Sequence, residues 1–157
     1  MKPGIKKYYF FIITVIILAF AIRFYHLSFF EFKNDQSYSI KIGNQTRDAK
    51  FLVTHGPISG IGIDMPPFYP YFMGLLTLLT QDPFWITAIF AILNFSALVL
   101  TIHYFYKRLP IKYAMISIVL LAFSPAFTIY ANIIWQQCSL PILIVIFYIT
   151  LTGFLKY

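Results

Sequence analysis

At 157 residues, 60% of them hydrophobic and only 11% charged, with mean hydropathy +0.77, the chain is too apolar for a water-soluble domain, which is nearer half apolar and a quarter charged. The net charge of +7 does not point to nucleic acid, because the cations flank apolar runs, where they set membrane topology. The single Cys138 excludes an internal disulfide and reads as a small apolar helix residue. The expected fold class is all-α: a polytopic membrane protein of about four transmembrane helices, with surface or re-entrant helices in the first outer loop.

Lys2, Lys6 and Lys7 precede an apolar run from about Tyr8 to Leu27, close to the ~20 residues that cross a bilayer. The start looks like a signal peptide, but the run is too long and no small-residue cleavage site follows it. An uncleaved first span with a cytoplasmic N-terminus is expected. Tyr8–Phe11 and Phe24-Tyr25 suit the two interfaces. Arg23, near the exit, can snorkel to the interface or face a lipid phosphate.

The polar stretch that follows holds Glu31, Asp35, Asp48 and Asp64, with Asp82 just beyond. Asn34-Asp35 is a helix N-cap signal. Tyr38, Ile42, Ala49 and Leu52 fall roughly on one helical face. The pattern predicts an amphipathic helix over about 36–49, lying on the membrane surface. Gly56-Pro57, Ser59-Gly60 and Gly62 break any helix. Pro66-Pro67 opens an apolar helix over about 66–80, since proline is favourable in a first turn. That helix is short of a full span. If it crossed, Lys107, Arg108 and Lys112 would lie outside; if it stays at the interface, they lie inside with the N-terminal lysines, as the positive-inside rule favours. The outer loop is therefore taken as 28–82.

Further spans are expected at about 83–106, 111–134 and 138–155, with a tight cytoplasmic turn over Lys107–Lys112. Ser124-Pro125 should kink the third span. Asn94 should hydrogen-bond a neighbouring helix. Trp135 suits an interface, and Gln136-Gln137 reads as a solvated turn. His26, His55 and Asp35 lack the spacing of a known metal site, so no metal ligand is assigned.

Several pieces in order carry a resemblance. They are Arg23, Asn34-Asp35-Gln36-Ser37-Tyr38, Gly56-Pro57-Ile58-Ser59-Gly60, Pro66-Pro67-Phe68-Tyr69, Ser124-Pro125 and Ile134-Trp135-Gln136. Together the chain resembles the polytopic lipid-phosphosugar glycosyltransferases with the C-type fold. The nearest group includes the protein O-mannosyltransferases and the aminoarabinose transferase of lipid A. The resemblance implies sugar transfer from a polyprenyl-phosphate donor to a lipid or protein acceptor, on the outer face of a bacterial inner membrane. It implies Asp35 as catalytic base, taking the proton of the attacking acceptor. Arg23, Gln36, Tyr38, Asp64, Pro66, Pro67 and Gln136 are the implied substrate-binding residues, and Lys41 and Arg47 are further cations for the leaving phosphate.

There are departures from that pattern. Asp64 stands two residues before Pro66, near the place of a second carboxylate, and is also a natural turn residue. Gln136 and Gln137 stand where some relatives carry an acid, and whether a divalent cation takes part stays open. Members of the family usually have many more spans, so this chain is expected to be an N-terminal part of such an enzyme. The alternative is a non-catalytic membrane subunit or remnant that binds a lipid or partner protein.

Overall fold

The computed structural model describes residues 3–25, 27, 32–49, 52–56, 58, 62, 64–134 and 136–154, excepting the side chains of 3–7 and 136. The described residues are helical, with one isolated antiparallel bridge between Ile58 and Asp64. The helices are α1 (Pro3–Tyr25), α2 (Asn34–Arg47), α3 (Phe68–Leu79), α4 (Pro83–Arg108), α5 (Ile111–Ala122), α6 (Pro125–Ile129) and α7 (Leu140–Phe154). Short 3₁₀ turns at Tyr130–Asn132 and Gln136–Ser139 join α6 to α7.

Among the described residues, three segments are long and apolar enough to cross a membrane: Tyr8–Tyr25, Pro83–Arg108 and Gln137–Phe154. A fourth is available if Ile111–Ala122 and Pro125–Asn132, bent by 51°, count as one broken span. The expected kink is thus a true interruption. Pro125 has no N–H to donate, and its ring disfavours a helical residue before it. Ser124 accordingly takes an extended ψ of 122°.

α4 is the central post. Its N-terminal end is capped by Asp82, whose Oδ1 accepts from the Phe84 N–H at 2.9 Å. Ile12, Val15 and Ala19 of α1 bury against Leu98 and Ile102 of α4 and against Ile118 and Ala122 of α5. Leu27 meets Ala88 and Ala91 nearer the start of α4, and Tyr9 meets Tyr106 at the other end, with ring centroids 5.3 Å apart. Hence α1 and α4 run antiparallel. The turn carrying Lys107, Arg108 and Lys112 lies at the end of the bundle where α1 begins, and the segments bearing Asp35, Asp48, Asp64 and Asp82 lie at the other.

α2 and α3 form a paired hairpin on the N-terminal half of α4. Ile40, Tyr69, Met73 and Leu76 pack with Ile86, Phe90, Ile134 and Cys138. The backbones approach closely at Gly43, where a Cβ would stand 2.8 Å from both the Met73 carbonyl oxygen and Thr77 Cγ2. Arg47 closes the hairpin. It donates two bonds to the Asp48 carboxylate (2.8 and 2.9 Å) and one from Nη1 to Thr77 O (3.2 Å), at the last turn of α3. A cation there matches the negative end of the α3 dipole. The hydrogen bonds from Arg47 hold Asp48 below the usual carboxylate range.

The sequence expectations need three corrections here. α2 begins at Asn34, and Lys33 is its N-cap, so Asn34-Asp35 lies inside the first turn and does not cap. The buried face of α2 is Gln36, Ser39, Ile40, Ile42 and Gly43; Tyr38, Ala49 and Leu52 are exposed. Finally, α3 starts at Phe68, with Pro67 as N-cap, so Pro70 rather than Pro66 is the first-turn proline. Lys2, Glu31, Pro57, Ser59-Gly60, Trp135 and Lys156, with the side chains of Lys6 and Lys7, lie outside the described residues.

Candidate functional site

Asp35 stands in the first turn of α2, its side chain exposed. The chain enters extended at Lys33 (φ −106°, ψ 176°), and the Lys33 N–H donates to Gln36 Oε1 at 2.7 Å. That bond is one half of a capping box. It accounts for Gln36, which is buried and faces the protein rather than a ligand. The Asp35 carboxylate itself makes no hydrogen bond or ion pair among the described residues. It lines an open dish of about 330 Å³ with Lys33 and Asn34.

One turn along α2, Ser39 Oγ donates to Asp35 O at 2.8 Å. Beside Ser39 lies the buried Tyr69 hydroxyl, which makes no hydrogen bond of full geometry among the described residues but is near enough to the Ser39 hydroxyl to feel it. The packing of α3 thus reaches the backbone of Asp35 through Ser39. Burial pushes the Tyr69 phenol up to about 12, with the Ser39 hydroxyl opposing. The unfolded chain ionises near 10.0, so the stability that this residue contributes is complete below that pH and is lost as pH rises through about 12. The loss is about 2–3 kcal/mol. Chemical unfolding in detergent at about pH 9 and about pH 11.5 should show that loss in the wild type and a smaller one in Tyr69→Phe. Equal losses in both proteins would remove Tyr69 as its source.

The other expected site residues are dispersed. Tyr38 lines a separate hollow of about 200 Å³ with Ile42, Val53 and His55. Asp64 is exposed and held by the backbone bridge to Ile58, in a loop also closed by the Gly56 N–H to Met65 O bond at 2.6 Å. Gly62 in that loop has φ +77°, a region that glycine enters without strain. Pro66 and Pro67 lead into α3. Gln136 opens the 3₁₀ turn before α7.

Arg23 differs most from expectation. It does not snorkel: it is 1% exposed and lies inside the bundle. Nη1 donates to Ala19 O (3.1 Å) and to Ala122 O (2.9 Å). Ala122 is the last residue of α5, and the Ser124-Pro125 interruption leaves its carbonyl without a helical donor. Arg23 supplies that donor, and its charge suits a helix C-terminus. The two sequence features are therefore one structural device. Asn132 Nδ2 donates to Arg23 O at 2.9 Å from the far side of the break.

The Arg23 side chain also lines a cleft of about 420 Å³ between α4, α5, α6 and α7. Asn94 and Gln137 border both this cleft and an adjoining one of about 260 Å³. Asn94 donates to Phe90 O and to Cys138 O, both at 2.9 Å, which ties the approach of α7 to α4. Asp35 and Arg23 line different concavities. Nothing local in the sequence marked Asn132, since its relevance depends on its contact with Arg23; Gln137 reads in the sequence only as a turn residue where some relatives carry an acid.

No family model, no curated protein and no solved structure matches this chain.

Proposed function

We propose that this chain is a polytopic protein of the bacterial inner membrane that transfers a sugar from a polyprenyl-phosphate donor to an acceptor at the outer face. Two features support the membrane setting. Large apolar side chains such as Phe10, Ile17, Ile92, Leu120 and Phe147 face outward along the helices, far more than a water-facing surface carries. The described carboxylates Asp35, Asp48, Asp64 and Asp82 also lie at the end opposite Lys107, Arg108 and Lys112, although Lys33, Lys41 and Arg47 share their end, an arrangement that the positive-inside rule favours when the Lys107–Lys112 turn is cytoplasmic.

The observation that carries the catalytic reading is the Asp35 carboxylate: exposed, without a partner among the described residues, and on the helix that follows the first apolar helix. An acceptor hydroxyl or amine attacks the anomeric carbon, and the bond from that carbon to the phosphate oxygen breaks. The electron pair leaves with the polyprenyl monophosphate, and Asp35 takes the acceptor proton and passes it to water. Arg47 is occupied by Asp48 and Thr77, and Lys41 is exposed. The test is transfer from radiolabelled polyprenyl-phosphate mannose and polyprenyl-phosphate aminoarabinose in membranes bearing the wild type or Asp35→Asn. Undiminished transfer by the variant removes Asp35 from the reaction.

A second reading, a non-catalytic subunit, draws support from the separation of Asp35 and Arg23 into different concavities. It requires a membrane partner that co-purifies and no transfer by this chain.

The proposed orientation has its own expected result. In a Cys138→Ala background, Gln45→Cys should label from the outer side with an impermeant maleimide, and Leu109→Cys only after permeabilisation. Labelling of both without permeabilisation would overturn the orientation.

A further inference from the structure

We infer that the end of the bundle carrying Lys107, Arg108 and Lys112 docks an anionic phospholipid, its head group against those cations and one acyl chain along the exposed face of α5. The inference rests on the membrane setting proposed above and not on sugar transfer. The three cations are exposed, and the described carboxylates all lie at the opposite end of the bundle. A patch of uncompensated positive charge draws counter-charge. Beside a bilayer the nearest counter-charge is the anionic head group of the cytoplasmic leaflet.

Membrane topology requires only that these charges be present, whereas a site requires that they be placed. Arg108 is placed. Its Cζ lies 5.4 Å from the centroid of the Tyr104 ring, one turn back on α4, within reach of a cation–π contact. Tyr104 in turn meets Tyr148 of α7 edge-on, with centroids 5.5 Å apart and planes at 74°. A second helix thus steadies the ring on which the guanidinium rests. Contact with a ring face consumes none of the N–H donors of an arginine, so they stay available for paired bonds to phosphate oxygens.

The apolar part of the surface selects a lipid over a free phosphate. Lys112, Ile116 and Leu120 recur at every fourth residue of α5, and all three are exposed. Side chains so spaced lie on one face of a helix. The result is a cation at the start of a ridge that continues apolar for about 12 Å. Exposed Tyr113 stands beside Lys112, at the level where tyrosine favours the membrane interface. A phospholipid has the same layout, charge at one end and hydrocarbon leading away from it. A chain-free phosphate would gain nothing from the ridge.

The experiment uses the purified chain in a mild non-ionic detergent and measures lipid retention by native mass spectrometry. The probes are phosphatidylglycerol, phosphatidylcholine with the same acyl chains, and glycerol 3-phosphate. The wild type should retain phosphatidylglycerol at least about tenfold more strongly than either of the others. Arg108→Gln and Lys112→Gln should each lower the ratio of phosphatidylglycerol to phosphatidylcholine about fivefold. Tyr104→Leu keeps every charge and removes the support of Arg108, and should lower the ratio about two- to fivefold. The ratio is the readout because a folding defect reduces both lipids alike. Equal retention of phosphatidylcholine or of glycerol 3-phosphate by the wild type overturns the inference, as does a wild-type ratio in any of the three variants. The expected ratios in a protein that transfers no sugar uphold this surface and remove the reaction. The expected ratios in a protein whose Leu109→Cys variant labels without permeabilisation uphold the surface and remove the orientation.

Discussion

Asp35→Asn should lower sugar transfer by a factor of roughly 10²–10⁴, the range that a positioned general base contributes. The fall should appear in kcat with little change in KM, because proton removal belongs to the transition state. The substitution keeps the shape of the side chain and removes its basicity. Its structural cost should be small. The Asp35 carboxylate makes no hydrogen bond or ion pair among the described residues, and the first turn is closed by Gln36 and Lys33 instead. Loss of the charge from the helix start costs at most about 1 kcal/mol. Asp35→Glu, which restores a carboxylate one methylene further out, should recover part of the rate. If Asp35→Asn and Asp35→Glu fall equally, and together with protein yield, the position is structural and the catalytic proposal fails.

The second large effect concerns the seat of Asp35. Gly43→Ala should destabilise the α2–α3 pair, and Gly43→Leu should do so more. An added Cβ meets the Met73 carbonyl oxygen and Thr77 Cγ2 at 2.8 Å, and a backbone oxygen cannot step aside as a flexible side chain would. Overpacking of this kind costs about 1–3 kcal/mol. Against it stands a gain of up to about 1 kcal/mol, because alanine is the better helix former. The clash should therefore win, and α2 should shift relative to α3. Gly153→Ala is the matched control, since nothing lies within 4 Å of its added Cβ. Thermal unfolding in detergent should lower the midpoint of Gly43→Ala and not that of Gly153→Ala. Matching midpoints for the two would show that close approach at Gly43 does not hold the hairpin. Because α2 carries Asp35, transfer should fall in Gly43→Leu while Asp35 itself is intact.

The long apolar runs made most of the helices legible. Hydropathy alone placed α1, α4 and α7 close to their observed limits, and proline chemistry placed the interruption at Ser124-Pro125. The face of α2 was not legible. Counting apolar side chains favoured Tyr38, Ile42, Ala49 and Leu52, of which Ile42 alone is buried, whereas the close approach to α3 is at Gly43, which carries no hydrophobic signal. Its contribution is the absence of a side chain opposite the Met73 backbone. The cap of α2 was misplaced because Asn34-Asp35 is a good capping pair in isolation, while the Gln36 side chain satisfies the Lys33 N–H one residue earlier. Arg23 was marked as a candidate, yet its partners lay beyond local reading. Ala122 and Asn132 stand 99 and 109 residues away in the chain, and no periodicity connects them.

The same distance along the chain orders biogenesis. Translation delivers α1 well before α5 exists, so the Arg23 guanidinium leaves the ribosome with its Ala122 acceptor still unmade. A cation in hydrocarbon at that moment would have only the Ala19 carbonyl of its own helix as an acceptor, and a long flexible stem would let it stay instead among water and head groups. On the membrane reading proposed above, the newborn first helix would therefore sit shallow until the Ala122 carbonyl is made.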